Sequence, residues 1–264
     1  MPVRKCSSCL EMESEPHYPP REEYAVMYRV EDSHWWYRGM ESITRQVIEQ
    51  RYSCGDHLRI LDAGCGTGAV MGYLSDYGTV VGMDYSAEAL RFCRLRKRDR
   101  LGQASVMRLP CRDEIFDLVA SFDVICQFGV TDDERALSEF ARVLVPGGRL
   151  ILRVPGAKWL RGQHDTAADV EKRYDLREME RKLCAAGLQP EHISHANIFL
   201  FPIAVAKRLA ERIIPPQPGS DLTLGMGPFN GLLGAVLSWE APLTARHCLP
   251  FGLTVVALAR KPSA

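Results

Sequence analysis

"ILDAGCGTGA", residues 60–69, runs an apolar segment straight into three glycines set two residues apart. Ile60 to Ala63 read as the end of a buried strand that begins near Leu58. The residues after Gly68 have helical spacing, with Val70, Tyr73, Leu74 and Tyr77 on one stripe. Gly64, Gly66 and Ala69 satisfy G-x-G-x-x-G/A, and Asp84 follows Gly64 by twenty residues at the end of a second apolar run, "TVVGMD" (79–84). Glycines at such a turn let the backbone approach a ligand, and an acid there accepts hydrogen bonds from ribose hydroxyls. On this template alone a nicotinamide dinucleotide fits as well as any other nucleoside.

Outward from the loop, strand and helix patterns alternate. Ser86 caps a helix through "AEALRFCRLRKRDR", and "QASVMRL" (103–109) and "FDLVASFDV" (116–124) read as the third and fourth strands. Thr131 and Glu134 form a capping box for a helix carrying Leu137, Phe140, Ala141 and Leu144. "PGG" (146–148) ends it before a fifth strand, "RLILRVP". Asp175 and Glu178 open another helix that Gly187 closes, and "EHISHANI" (191–198) and "GLTVVALARK" (252–261) supply the last two strands. The class is therefore α/β, a doubly wound parallel sheet covered on both faces.

Asp62 moves the ligand away from a dinucleotide. A dinucleotide strand carries an apolar side chain there, whereas an anion suits a ligand with an ammonium group. The motif also starts about sixty residues into the chain, behind helices. Asp62–Gly68, Gly82–Asp84, "ASVMRLP", "FDLVASFDV" and "RVLVPGGRLIL" occur in order over residues 58–155 and resemble class I S-adenosylmethionine (SAM)-dependent methyltransferases. The resemblance implies a Rossmann-like seven-stranded sheet whose final strand is antiparallel. It implies SAM as cofactor and S-adenosylhomocysteine as product. Asp62, Gly64, Cys65, Gly66 and Gly68 would hold the methionine end, Asp84 and Tyr85 the ribose, Ser105 and Val106 the adenine, and Phe122 and Asp123 would face the sulfonium. Many relatives have an acid where this chain has Ser105.

"EDSHWWYRG" (31–39), "HDTAADVEKRY" (164–174), "NIFLFP" (197–202) and "NGLLGAVLSWEAPL" (230–243) resemble a bacterial branch of this family found in pathways to secondary metabolites, glycans and lipid-linked compounds. That branch has histidine at the position of Gln127 and arginine at that of Met40. The resulting expectation is methyl transfer to a small hydrophobic or glycosylated metabolite, with O-methylation ahead of N- or C-methylation. A SAM-binding enzyme of the same fold with non-methyl chemistry, such as cyclisation, is the alternative, and a nicotinamide-dependent oxidoreductase comes third. His164 follows the fifth strand on the ligand-binding edge and is the first candidate base, with His34 second. Gln127, Trp159, Arg173 and Tyr174 are the acceptor-side candidates.

Two helices are expected between Glu22 and Gln50, with Asp32 or Ser33 as a cap between them. In the second, Trp36, Met40, Ile43 and Val47 share a core stripe. Trp35, His34 and Arg38 fall on other faces and are expected to close over the methionine end, Arg38 meeting its carboxylate. Residues 1–20 read as a flexible tail, and 21–264 as one domain with a helical cap at 21–55 and a lid insertion at 199–245. The lid helix from Phe199 sets Ile203, Ala206, Ala210 and Ile213 on one face; an interfacial helix contacting a membrane is the less favoured reading.

Composition bounds the rest. Of 264 residues 46% are hydrophobic, enough for a single large core, and 33 basic residues balance 33 acidic ones, so no global field recruits nucleic acid. Six basic residues in "RFCRLRKRDR" (91–100) read as a solvated helix face. Nine cysteines, an odd number, read as free thiols of a reducing cytoplasm; Cys6 and Cys9 lack a second pair, so no metal is expected. No apolar run reaches the roughly 18–20 residues of a spanning helix, and a homo-oligomer is compatible with everything above.

Overall fold

The computed structural model describes residues 21–160, 170–211 and 230–263. In chain order these form α1 (Arg21–Val30), α2 (Trp35–Ile48), β1 (Leu58–Ala63), α3 (Ala69–Leu74), β2 (Gly78–Asp84), α4 (Ala87–Leu95), β3 (Leu101–Gln103), β4 (Phe116–Phe122), α5 (Asp133–Val143), β5 (Leu144–Pro155), α6 (Leu176–Ala185), β6 (Gln189–Ala196), α7 (Phe201–Glu211), α8 (Asn230–Arg246) and β7 (Thr254–Arg260). The seven strands lie in the order β3-β2-β1-β4-β5-β7-β6. Only β7 runs antiparallel to its neighbours. This is the Rossmann-like seven-stranded sheet with an antiparallel final strand that the ordered motifs imply. The order reverses between β1 and β4, so the carboxyl ends of those strands open a crevice.

Side-chain alternation divides the core into two layers. Leu61, Val119, Leu150, Leu152 and Val154 face α5 and α6. Ile60, Leu118, Ala120, Phe122 and Ile151 face α2, α3 and α8. Met40, Ile43 and Val47 are buried in that second layer and Trp36 packs half-buried against it, as their stripe requires.

Four local expectations are corrected. Strand β3 is Leu101–Gln103, ahead of the expected 103–109, because Ser105 starts a turn: its hydroxyl accepts from Met107 N at 3.2 Å and its carbonyl from Arg108 N at 3.0 Å. Asp132, not Thr131, caps α5, accepting from Arg135 N at 2.9 Å. His34, not Asp32 or Ser33, caps α2 through Nδ1. The lid helix begins at Phe201 rather than Phe199, with Ile203 and Ala206 exposed on it and Leu200 buried just before it. Val145–Gly148 is looped out inside β5, so pairing with β4 jumps from Leu144 to Arg149. No described helix is long and apolar enough to cross a membrane.

Helix α8 docks along α2. Gly39 makes that approach close, because a Cβ on it would stand 2.4 Å from Leu237 Cδ1 and 2.5 Å from Leu237 Cβ. The room at Gly39 thus serves Leu237. Alanine is the better helix former by about 1 kcal/mol, so only the contact can make glycine preferable here. Gly39→Val is expected to cost about 1–3 kcal/mol in chemical denaturation through overpacking. Adding Leu237→Ala should recover part of that loss; a double variant no more stable than the single one would show that the contact is not limiting.

Candidate functional site

The loop after β1 carries three left-handed glycines, with φ of +86° at Gly64, +53° at Gly66 and +84° at Gly68. Gly64 N and Cys65 N donate to Met83 O at 2.7 and 3.0 Å, tying the loop to the end of β2. Asp84 crosses the loop's mouth, accepting from Gly66 N at 2.9 Å and Ser86 N at 2.8 Å. Burial raises its pKa, and those backbone donors oppose the rise. Cys65 turns inward, its thiol 3.8 Å from that of Cys93, so the loop offers its backbone at that position.

Asp62 is 1% exposed and its Oδ2 has no hydrogen-bond partner. Burial, with the nearby Asp84 charge second, pushes its pKa up to about 8; Arg153 opposes the shift and Glu31 adds to it. A buried carboxylate without a partner is costly.

Three residues that the sequence reading did not select complete the cradle. Glu31, at the end of α1, accepts from Thr67 Oγ1 in the loop and from Arg96 Nη2 of α4 at 2.8 Å. Arg96 also holds Asp32 and the Tyr28 carbonyl, fixing α1 over the loop. Arg91 pairs with Glu88, and Arg98 Nε reaches Gly68 O at 3.4 Å, so three members of the basic run are engaged within the fold. Tyr37 of α2 feels Glu31, Arg153 and Asp123, and burial raises its pKa. Arg153 closes β5, buried beneath α2, with both Nε and Nη2 2.8 Å from Asp123 Oδ2 and its guanidinium 4.9 Å from the Phe122 ring centroid. Asp123 has φ +59°. Glu31 belonged to the quoted "EDSHWWYRG" and Arg153 to "RLILRVP"; a charged side chain at the end of a buried strand was the available signal.

Trp35 and Arg38 share one flank of α2. They line a groove of about 460 Å³ with Ser33, Glu41, Asn230 and Gly234, between α2 and α8. Trp35 N donates to Asn230 Oδ1 at 2.8 Å, and Arg38 is exposed. Of "HWWYRG", Tyr37 is the residue turned to the cradle, because α8 occupies the flank on which Trp35 and Arg38 lie. His34 is buried; its Nδ1 accepts from Trp36 N at 3.2 Å, which leaves the proton on Nε2, and burial lowers its pKa. In that tautomer Nε2 donates, so His34 is not poised as a base.

On the acceptor side Gln127 Nε2 donates to Asp123 O at 3.0 Å, and Arg173 Nη1 to Gly156 O at 2.7 Å. Tyr174 is buried, its hydroxyl 2.7 Å from Asp133 Oδ2 and 3.1 Å from Ile125 O, so it braces α5 rather than lining an open pocket. Val106 is core and Ser105 Oγ serves its own turn; Tyr85 is 46% exposed at the ribose side. Trp159 is 59% exposed and stacks edge-on against Phe201 at 5.7 Å, and Phe201 meets Phe251 at 5.3 Å. The pairings Phe122↔Arg153 and Pro155↔Thr254 put this aromatic shelf on the same sheet edge as the glycine loop. His164, like Cys6 and Cys9, lies outside the described residues. The described cysteines are free thiols.

Residues 61–152 match the family model described as "Methyltransferase domain". "Probable tRNA methyltransferase 9B" of Homo sapiens is 37% identical over 127 residues, which are 48% of this chain and 26% of that protein. "Fatty-acid O-methyltransferase" of Mycolicibacterium smegmatis is 32% identical over 141 residues, 50% of this chain and 44% of that protein. The chain therefore spans less than half the length of either relative. The crystal structure of the [4+2]-cyclase SpnF superposes with a TM-score of 0.55 at 20% identity, covering 84% of this chain and 81% of that one, a likeness of fold.

Proposed function

We propose that this chain, whose 61–152 segment is a methyltransferase domain of the SAM-dependent class, moves a methyl group from SAM to an oxygen of a small apolar acceptor. The donor set fits the cofactor. The Asp62 carboxyl is buried with Oδ2 unpartnered, and an ammonium beside it would draw it into its carboxylate form, while Asp84, held by Gly66 N and Ser86 N, suits ribose hydroxyls. A Cβ on Gly66 would meet only Met27 Cε, at 3.9 Å, so a ligand can lie against that backbone. SAM supplies a methyl already activated on a sulfonium. The residues of this chain orient the cofactor and exclude water between the loop, α1 and α2, which favours an in-line approach. Glu31, Asp62 and Asp84 together favour a cation over the neutral thioether left after transfer.

The observation that carries the acceptor class is the Trp159–Phe201–Phe251 shelf, three aromatic rings on the reacting edge of the sheet. Apolar acceptors gain by covering such exposed rings. Helices α7 and α8, which make up most of the described part of 199–245, act as the cover over that edge, and His164 is the proposed base for an oxygen acceptor. The family resemblance and the name of the M. smegmatis relative support O-methylation of an apolar compound.

Methyl-labelled SAM incubated with fatty acids, phenols, glycosides, amines and tRNA tests this directly. Label in an apolar hydroxyl or carboxyl compound, lost on Trp159→Ala and His164→Ala with S-adenosylhomocysteine affinity intact, is the expected result. Label entering tRNA alone would overturn the acceptor class. Conversion of an acceptor without label would favour non-methyl chemistry, and tight NAD binding without SAM binding would remove the cofactor assignment.

A further inference from the structure

We propose that Arg153 receives the carboxylate of the cofactor's methionine end, beside Asp62 on its ammonium; the inference rests on the cofactor reading above. An amino-acid end presents both charges on one carbon, so its receptor needs an anion and a cation side by side. The register supplies them. Asp62 pairs with Ala120, and Phe122, two residues further, pairs with Arg153. Alternation then sends Asp62, Phe122 and Arg153 to one face of the sheet, the face beneath α2 and α3. Arg153 opposes the upward shift of Asp62, and Tyr37 and Tyr73 also feel its charge.

Among the described residues the guanidinium is incompletely used. It has five N–H donors, and Nε and Nη2 both go to the single oxygen Asp123 Oδ2. Its Nη1 makes no hydrogen bond with a described residue. Within the same buried layer Asp62 Oδ2 lacks a partner. A carboxylate bridging toward Nη1 would use donors that Asp123 leaves, in the forked geometry that suits arginine. Other cations are poorly placed for the task. Arg96 gives both Nη groups to Glu31, Asp32 and the Tyr28 carbonyl and keeps only Nε unpartnered, and Arg38 stands exposed in the α2–α8 groove.

The experiment compares S-adenosylhomocysteine with its decarboxylated counterpart, which keeps adenosine, thioether and amine. By calorimetry the wild type should prefer the carboxylated ligand by about ten- to hundredfold, the range of a charge-assisted bidentate contact. Arg153→Met should remove that preference by weakening S-adenosylhomocysteine while leaving the decarboxylated ligand unchanged, and Arg153→Lys should keep part of it. Equal weakening of both ligands in Arg153→Met would overturn the assignment, since that is what general damage to β5 does. A wild type that binds the two alike overturns it without any variant. A wild type that binds neither overturns the cofactor reading itself, and Arg153's role with it.

Discussion

Asp62→Asn should raise the thermal midpoint of the ligand-free protein at pH 8 and at the same time remove most of its response to SAM. The two effects share one cause. The folded pKa of Asp62 is raised from the usual carboxylate range to about 8 by burial. Between about pH 4 and pH 8 the folded state therefore holds a proton that the unfolded chain has released, and stability falls as pH rises through that window. Above 8 the folded protein bears the full cost of an ionised buried carboxylate. Asparagine keeps the shape and carries no charge, so its benefit should be small at pH 5 and largest near pH 8. Binding reverses the preference: a cationic partner stabilises the carboxylate, so affinity should improve with pH up to about 8, by at most about tenfold per unit. Loss of the charge should weaken SAM by about a hundredfold, as for other truncated buried charge pairs. Scanning fluorimetry from pH 5 to 8.5, with and without SAM, reads both effects; an Asn variant less stable than wild type at pH 8 would contradict the account.

Alanine at Gly64 and at Gly66 should fail for opposite reasons. A Cβ on Gly64 would stand 2.2 Å from Val124 Cγ2, at φ +86°. Left-handed strain and overpacking together should cost about 2–4 kcal/mol, seen as a large fall in denaturation midpoint. At Gly66, with φ +53° and nothing nearer than Met27 Cε at 3.9 Å, the strain alone costs about 1 kcal/mol. That variant should stay folded yet lose SAM affinity by tenfold or more, because its methyl fills the space a ligand needs against the backbone. Equal loss of stability in both variants would show that the Gly66 space is not a binding surface.

The contrast marks what the sequence could disclose. The glycine loop, Asp62 and Asp84 were legible because their roles depend on a turn and on strand ends within some twenty residues. The alternation of strands and helices gave the sheet for the same local reason. The third strand was read too late because Val106 looks like an alternating strand residue, whereas it is buried by the turn that Ser105 starts. The α2 faces were harder. A helical wheel gives the core stripe of Met40, Ile43 and Val47, but not which flank meets α8 and which meets the cradle. Only tertiary docking puts Tyr37 beside Arg153 and leaves Trp35 and Arg38 in the groove. Glu31 was hidden likewise, since its partners Thr67 and Arg96 lie 36 and 65 residues away.

The docking of α8 on α2 also bears on the order in which the protein is made. Residues 35–48 leave the ribosome some two hundred residues before Leu237, which belongs to the surface they pack on. Long-range contacts of this kind form late and slowly. During synthesis the glycine loop and the first five strands can assemble while α2, with Tyr37, still lacks its outer support. The cradle would then gain its complete cover only once α8 has emerged, so a nascent chain should acquire its first five strands before it acquires tight hold of a cofactor.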